Sequence, residues 1–243
     1  ITLPNGVTRI ESDTFDGCSS LTAITLPENL TSINWSAFTG CSLERLTFNC
    51  TNVGRWFEGH SGIKEIIFSE SVTSIGQNAF QYCTSLTSIT IPESLTSIGS
   101  KAFSGCSSLT AVHVSSIEAW CKISFDYFSS NPLYYADNLY LNGELITELV
   151  IPEGVTSIGS GAFWGCSSLT AITIPEGVTS IGESAFSGCT SLTAVHISNI
   201  EAWCKIEFGS STSNPLSNAH NLYLNGELVT NLVIPEGVTS IGE

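Results

Sequence analysis

Residues 169–182 read LTAITIPEGVTSIG, and four other stretches of the chain repeat nearly the same letters. These copies begin at residues 21, 86, 146 and 229. The shared apolar frame, L-x-x-I-x-I-P-E-x-V-T-S-I-G-x-x-A-F-x-G-C, advances mainly in steps of 23 residues. A fixed period of this length is typical of a solenoid, in which each repeat buries its apolar side chains against its neighbours.

The letters of this frame predict the shape of one coil. Alternation in L-x-x-I-x-I indicates a short strand, and the proline ends that strand because it cannot donate to a ladder. V-T-S-I-G indicates a second short extended piece followed by a bend. A-F-x-G-C is too short for a full helix and predicts a turn, or one 3₁₀ turn, that carries a large phenylalanine. Stacked coils would place Ile91, Val114, Ile174 and Ile197 in one interior column behind a parallel sheet.

A longer spacing groups the repeats into larger units. The last six steps are 23-23-37 taken twice, which defines super-repeats 69–151 and 152–234. Divergent repeats precede them in 1–68, and a partial repeat follows in 235–243. We interpret 1–243 as a single solenoid, and as a fragment of a longer protein because neither end carries the polar cap usual in solenoids.

Each super-repeat ends in a 37-residue unit, 115–151 or 198–234, and the two units match at 26 of 37 positions. In the first unit, the spacing predicts that Trp120 replaces the isoleucine of V-T-S-I-G. It also predicts that Phe125 replaces the phenylalanine of A-F-x-G-C. We therefore expect the long coil to start like an ordinary one.

An Asn-Gly pair between strand formers occurs in each long unit, at 142–143 and 225–226, and predicts a β-hairpin. The extra residues predict an excursion that starts at SNPL, 130–133 and 213–216. Two interpretations of the hairpins are open. Either they project to grip a partner, or they cover an edge of the solenoid, and we favour the second.

The L-x-x-I-x-I frame resembles the leucine-rich repeat. With I-P-E-x-V-T-S-I-G and A-F-x-G-C, the full pattern resembles the BspA-like subclass found in bacterial and protist surface proteins. The resemblance implies an α/β-type solenoid, mostly β: a curved, right-handed superhelix with a parallel concave sheet and short convex strands or 3₁₀ turns. The Asn or Cys that usually follows the strand is replaced by Gly177, Asn29 or Ser94, which leaves the hydrogen bonding of that corner open.

Composition limits the partners. The chain has 22 acidic and 7 basic residues, a net charge of −15, which argues against nucleic acid and anionic membranes because both select Lys and Arg. No apolar run approaches the roughly 20 residues of a membrane span, so we expect no membrane insertion within this segment. Charged residues are only 12% of the chain, and Ser, Thr and Asn must cover most of the surface.

Nine cysteines and four histidines do not predict a metal site. No C-x-x-C occurs, and six cysteines recur at one repeat position, where stacked thiols would be parallel and about 5 Å apart. This geometry favours buried free thiols over disulfides. His113 and His196 are a super-repeat apart, too far to share a metal. Nucleophile-elbow, zinc-protease and P-loop motifs are missing, so we predict no catalytic residue, no cofactor and no enzymatic activity.

The least repetitive stretch is 43–68, where the steps shorten to 22 and 20 residues and A-F-x-G-C is lost. It holds three of the seven basic residues. This break indicates either a binding patch, for an acidic or glycan ligand, or degeneration without purpose, which we favour. Other candidates face outward from the strands. The candidate partner-binding residues are Arg45, Arg55, Trp56, His60, Lys64, His113, Glu148, His196 and Asn231.

The favoured hypothesis is a non-catalytic, extracellular recognition segment. The resemblance implies adhesion at the cell surface, and a broad concave sheet of short polar side chains suits a host or bacterial surface protein. A structural spacer that displays another domain is the rival, because near-identical super-repeats supply length without specificity. A glycan-binding module is the third possibility.

Overall fold

The computed structural model describes residues 1–236 and 238, and these residues form a mostly-β parallel solenoid, as predicted. In chain order the strands are β1 (Arg9–Ile10), β2 (Ala23–Leu26), β3 (Ser32–Ile33), β4 (Arg45–Phe48), β5 (Asn52–Val53), β6 (Glu65–Phe68), β7 (Ser74–Ile75), β8 (Ser88–Thr90), β9 (Ser97–Ile98), β10 (Ala111–Val114), β11 (Ser124–Phe125), β12 (Leu139–Leu141), β13 (Glu144–Leu145), β14 (Glu148–Val150), β15 (Ser157–Ile158), β16 (Ala171–Ile174), β17 (Ser180–Ile181), β18 (Ala194–Ile197), β19 (Glu207–Phe208), β20 (Leu222–Leu224) and β21 (Glu227–Leu228). The short helices are α1 (Ile117–Cys121), α2 (Leu133–Ala136), α3 (Ile200–Cys204) and α4 (Leu216–Ala219), and a 3₁₀ turn covers Phe128–Ser130. Of the predicted partial repeat 235–243, residues 237 and 239–243 lie outside the described part.

The longer strands form the face that we call concave. They pair in parallel, each coil with the next, in the orders β2-β4-β6, β8-β10-β12 and β14-β16-β18-β20. Ile172 pairs with Val195, and Thr173 pairs with His196. Because side chains alternate across a strand, the first pair points into the core and the second points outward.

Two-residue strands line the opposite, convex face and confirm the second extended piece of the repeats that the structure describes. They pair in the orders β1-β3, β5-β7-β9-β11 and β15-β17-β19. Most read Ser-Ile and come from V-T-S-I-G, with the isoleucine turned inward. Ile98 and Ile181 are examples, and both are fully buried.

The predicted interior column is present. Ile91, Val114, Ile174 and Ile197 belong to one continuous cluster of buried side chains, and none of them is more than 5% exposed. Burying a side chain of this size contributes about 1.5–3 kcal/mol. Repeated over every coil, this contribution holds the stack together.

The A-F-x-G-C segments form turns that are bonded from coil to coil. The N–H of Phe80 donates to the carbonyl oxygen of Ala102 at 2.8 Å. The Cys106 thiol donates back to the Phe80 carbonyl oxygen at 3.2 Å, and the Phe80 and Phe103 rings stack at 5.7 Å between centroids. All nine cysteines are free thiols; seven are buried, Cys18 is exposed and Cys41 is half-buried.

Hydroxyl groups of serine and threonine form hydrogen bonds between neighbouring coils. The sequence had left this bonding open, because the Asn or Cys that usually follows the strand is replaced. Thr96 Oγ1 donates to the carbonyl oxygen of Thr73 at 3.0 Å. At the corner itself, Ser94 Oγ donates to the carbonyl oxygen of Val72 at 2.7 Å. The same threonine bond recurs at Thr31, Thr110, Thr170, Thr179 and Thr193.

The start of the long units differs from the prediction. Residues 117–121 form α1 instead of an extended piece, with Ser116 as its N-cap accepting the N–H of Ala119. Phe125 pairs with Ile98, so Phe125, and not Trp120, replaces the convex isoleucine. The helical turn forms because a capping residue followed by Glu, Ala and Trp favours it over the repeat pattern.

Both predicted hairpins are present. Asn142 and Gly143 have φ values of 51° and 87°, the left-handed backbone that a type I′ turn requires. However, the first hairpin strand joins the concave sheet, where Leu139 pairs with Val112. The idea of a wholly extruded hairpin is therefore wrong: only the return strands, β13 and β21, leave the repeat pattern, by pairing antiparallel with β12 and β20.

Both faces are interrupted at one junction. The concave order stops after β12 and β13 and restarts at β14, and the convex order stops at β11 and restarts at β15. SNPL (130–133) lies here and starts α2 instead of an excursion. Its buried Asn131 donates to the carbonyl oxygens of Gly161 and Ala162 at 2.8 and 3.0 Å. Side chains thus replace ladder bonds between these two coils.

Candidate functional site

Two aromatic stacks lie on the concave face. His113 on β10 stacks on Tyr140 on β12, with centroids 4.8 Å apart and planes at 27°. His196 and Tyr223 repeat this arrangement at 4.7 Å and 23°. Each pair occupies neighbouring positions of the parallel ladder, so both rings point outward from the same side of the sheet. Both histidines are half-buried.

A leucine extends each stack. Tyr140 pairs with Leu145 across the antiparallel hairpin, and Tyr223 pairs with Leu228 in the same way. Directly paired residues of adjacent strands lie on the same face of a sheet. Leu145 is 41% exposed and Leu228 is 47% exposed. The chain thus presents two equivalent His-Tyr-Leu clusters, which we define as His113, Tyr140 and Leu145 and as His196, Tyr223 and Leu228.

Tyr140 and Tyr223 were missed by the sequence prediction. It treated NLYLNGEL as a hairpin outside the sheet, so the tyrosines had no assigned face. The signal was present: in N-L-Y-L-N-G the tyrosine lies between two leucines, as an outward residue of a half-buried strand does. Of the other concave candidates, Glu148 and Asn231 are exposed.

A charged cluster occupies the first coils of the concave face. Arg45 Nε lies 2.5 Å from a Glu65 carboxylate oxygen, and Lys64 Nζ lies 2.6 Å from a Glu44 carboxylate oxygen. These four side chains line an open cavity of about 350 Å³. The two basic candidates are therefore neutralised by their neighbours, and exposed pairs of this kind contribute only about 0–1 kcal/mol.

The irregular stretch forms a second concavity, the Trp35 groove, which we define by Trp35, Arg55, Trp56, Glu58 and His60. These residues line a cavity of about 500 Å³. An adjoining cavity of about 600 Å³ shares Trp35, Glu58 and His60 and reaches to Lys64. Three candidates, Arg55, Trp56 and His60, are thus brought together, and Lys64 lies at the far edge.

Trp35 was not among the predicted residues, although its ring is 80% exposed. It occupies a variable position of the repeat, after Ile33 and Asn34, where the other coils carry smaller or charged side chains. An exposed tryptophan at a variable repeat position is itself a signal of binding, because burial does not account for it.

The remaining groove residues have distinct environments. Trp56 is only 8% exposed and is mainly a core residue. Arg55 forms an ion pair with Glu58. His60 packs edge-on against Phe57 at 5.5 Å, and its buried Nδ1 has no hydrogen-bond partner among the described residues. Burial lowers the pKa of His60, so the imidazole is neutral near pH 7.

The geometry provides contact surfaces. Among the described residues, no three His, Cys, Asp or Glu side chains converge as metal ligands would. Burial raises the pKa of Cys106 and Cys189 to about 12, which keeps these thiols protonated and unreactive at neutral pH. In the described part of the chain, no helix has both the length and the apolar character that crossing a bilayer requires.

The repeats of this chain match a known protein family. The family model of the BspA type leucine rich repeat region matches in six copies, over residues 1–110, 53–135 and 136–243. No curated protein matches the chain in sequence.

Several solved structures are similar to the chain. A leucine-rich cell surface protein from Faecalibacterium prausnitzii is 25% identical, over 86% of this chain and 82% of that one, with a TM-score of 0.36. A leucine-rich repeat protein from Bacteroides ovatus is 23% identical, over 86% and 70%, with a TM-score of 0.37. The T. pallidum leucine-rich repeat protein is 23% identical, over 80% and 67%, with a TM-score of 0.31.

Proposed function

Because the chain belongs to the BspA-type leucine-rich-repeat family, we propose that it is a non-catalytic module that recognises a protein partner through its concave face. We further propose that it acts outside the cell, as an adhesin-like surface segment whose partner is a host or bacterial surface protein. The observation that carries the proposal is the duplication of the His-Tyr-Leu cluster on that face.

The chemistry of these clusters suits protein contacts. Tyrosine is enriched at protein interfaces because it adds a large, rigid contact area and a polar hydroxyl at little cost in conformational entropy. The stack on histidine holds each tyrosine ring in place before binding. The exposed leucine beside it supplies apolar area that a partner would remove from water.

Duplication has a consequence for affinity. His113 and His196 occupy equivalent places in two super-repeats of one solenoid. A partner with two matching epitopes, or a repetitive surface, would engage both clusters at once. The second contact is then intramolecular, and avidity can exceed the affinity of either cluster alone.

Two other functions retain support from specific observations. A glycan-binding module is favoured by the Trp35 groove, where an exposed indole lies beside the Arg55–Glu58 pair. A spacer is favoured by the near-identity of the super-repeats and by the recurring hydroxyl and thiol bonding between coils.

The test uses the purified, fluorescently labelled chain on intact bacterial and animal cells. Binding is measured as a saturation curve before and after mild protease treatment of the cells, and separately after glycosidase treatment. The variants are the double substitution Tyr140→Ala with Tyr223→Ala, and Trp35→Ala as a matched loss of one exposed aromatic elsewhere. Circular dichroism confirms that each variant is folded.

The proposal expects saturable binding that protease treatment removes and that the double tyrosine variant weakens by about tenfold or more, as for interface hot spots. Trp35→Ala should bind like the wild type. Binding that survives protease, falls after glycosidase and depends on Trp35 would instead support the glycan module. A folded chain that binds no surface would support the spacer.

A further inference from the structure

A second aromatic surface lies on the flank of the solenoid, where the A-F-x-G-C turns run. Phe128 stacks on Trp164 from the next coil, with centroids 4.6 Å apart and planes at 17°. Tyr134 lies 5.9 Å from Trp164 and 4.9 Å from Tyr135. We define these four residues, Phe128, Tyr134, Tyr135 and Trp164, as the flank cluster.

The flank cluster is open to solvent. Phe128 and Tyr134 are each 41% exposed, and the neighbouring Tyr127 is 64% exposed. Single exposed apolar residues are common on soluble proteins, but a contiguous group of aromatic rings marks a place where another molecule binds. The flank cluster is also separate from the concave clusters, because its residues come from helices and turns and not from the sheet.

The second super-repeat provides an internal comparison. The first long unit has aromatic residues at Tyr127, Phe128, Tyr134 and Tyr135. The second long unit has serine or asparagine at the same four positions, namely Ser210, Ser211, Ser217 and Asn218. Its coil nevertheless forms α3 and α4, the counterparts of α1 and α2, although no 3₁₀ turn corresponds to Phe128–Ser130. The aromatic rings are therefore not required to build a long coil. They also leave apolar surface in water, which an exposed serine or asparagine does not.

Charge changes together with the aromatic residues. Asp126 and Asp137 of the first unit correspond to Gly209 and His220 of the second. Asp137 ends α2 and is exposed, and its carboxylate lies beside Gly165, the neighbour of Trp164. Asp126 Oδ2 accepts the N–H of Ser100 at 3.0 Å, which fixes a second carboxylate near the start of the 3₁₀ turn. These aromatic rings and these two carboxylates thus occur together in one unit and are absent together from the other.

We propose that the flank cluster binds an arginine- or lysine-rich segment of a partner protein. Guanidinium and ammonium groups are attracted to aromatic rings, and an arginine side chain also stacks on them. Asp137 and Asp126 would balance the charge of the bound segment. The net charge of −15 would draw such a segment towards the chain, while the rings would decide where it binds.

The test measures binding of two fluorescein-labelled peptides by fluorescence anisotropy. One alternates arginine and glycine, and the other, of equal length, alternates glutamate and glycine. Titrations are made at about 50 mM and at about 200 mM NaCl, because screening separates ionic from aromatic contributions. The aromatic variant is Phe128→Ser with Tyr134→Ser, and the acidic variant is Asp126→Gly with Asp137→His. Both introduce the residues of the second long unit, which folds with them.

The aromatic variant keeps the net charge, so it isolates the rings. We expect it to bind the arginine peptide about fivefold to tenfold more weakly at both salt concentrations. The acidic variant should bind it about tenfold more weakly at low salt and depend less on salt. The glutamate peptide should not bind. Tyr140→Ala, on the concave face, should bind the arginine peptide like the wild type, which separates this site from the proposed concave one.

Three results would each overturn the proposal. An aromatic variant that binds the arginine peptide like the wild type would mean that diffuse charge attracts it. Equal binding of the glutamate peptide would mean that the surface does not select cations. Failure of the wild-type chain to bind the arginine peptide at low salt would exclude the site.

Discussion

The indole N–H of Trp120 donates a hydrogen bond to the carbonyl oxygen of Ala162, 42 residues further along the chain, at 2.9 Å. The bond joins the first long coil to the coil that follows it, at the junction where neither the concave nor the convex ladder continues. Asn131 donates to the same carbonyl oxygen. Hydrogen bonds from the side chains of Trp120 and Asn131, which we call the side-chain clasp, therefore join these two coils where backbone pairing joins the others.

Replacing Trp120 by phenylalanine should destabilise the chain. The change removes the indole donor and part of a fully buried side chain, so we expect the free energy of unfolding to fall by about 2 kcal/mol. Urea unfolding followed by circular dichroism measures it. Trp35→Phe is the control, since that ring is exposed, and it should change stability by less than about 0.5 kcal/mol. Equal effects of the two substitutions would contradict the clasp.

Asn131 and Asn214 offer a matched pair in the two long units. Asn131 is fully buried and makes three hydrogen bonds, to two carbonyl oxygens and from the N–H of Leu133. Asn131→Ala should lower the free energy of unfolding by about 2–3 kcal/mol, because buried backbone groups lose their partners. Asn214 is half-buried, so Asn214→Ala should cost about half as much. Thermal unfolding of both variants checks the difference, and a larger loss for Asn214→Ala would refute it.

Gly105 and Tyr82 should be energetically coupled. Gly105 has a φ of 77°, and a Cβ atom added there would collide with the Tyr82 ring. Gly105→Ala should therefore destabilise by about 2 kcal/mol through backbone strain and crowding. In a Tyr82→Gly background, which removes the ring, we expect about half of that loss to disappear. A double-mutant cycle by urea unfolding measures the coupling, and strictly additive effects would argue against it.

Buried thiols should make the fold sensitive to alkali. Burial raises the pKa of Cys106 and Cys189 to about 12 and that of Cys50 to about 11. Unfolded thiols lose their protons near pH 8.5, whereas the folded ones keep them, so alkali favours the unfolded state. Stability should be complete below about pH 8.5 and should fall above it, by up to about 1.4 kcal/mol per pH unit for each thiol.

The measurement is the free energy of unfolding from about pH 7 to about pH 10. A double variant, Cys106→Ala with Cys189→Ala, has two fewer thiols to titrate and should therefore lose less stability over this range. If the free energy of unfolding falls equally with pH in the wild-type chain and in the variant, these thiols are not the cause.

The sequence predicted inward-facing residues better than outward-facing ones. The placement of Ile91 and Ile174 followed from alternation alone, because burial constrains every inward position of the frame in the same way. The Asn142-Gly143 turn was equally predictable, since a type I′ turn requires left-handed backbone at both residues. Both features depend on residues that are close together in the sequence, and the repeats show the same pattern several times.

Features that arise once or twice were missed. The helical turn after Ser116 shifts the ladder, so Phe125 and not Trp120 faces Ile98. That shift depends on competition between a capped helix and an extended strand, which spacing alone does not resolve. The His113–Tyr140 stack was missed for a related reason: the strand register that brings the rings together could not be read from the 23-residue period.

The concave and convex ladders both break between the first long coil and the next coil, which affects how the chain would respond to a pulling force. Within each block of coils, a pull along the axis would have to break rows of backbone hydrogen bonds together, because these bonds run from coil to coil along that axis. Between Cys121 and Gly159, the load would fall on one backbone bond of 3.2 Å and on the side chains of Trp120 and Asn131. A tether built from such blocks would yield at that seam first, extending in steps while the blocks on either side keep their shape.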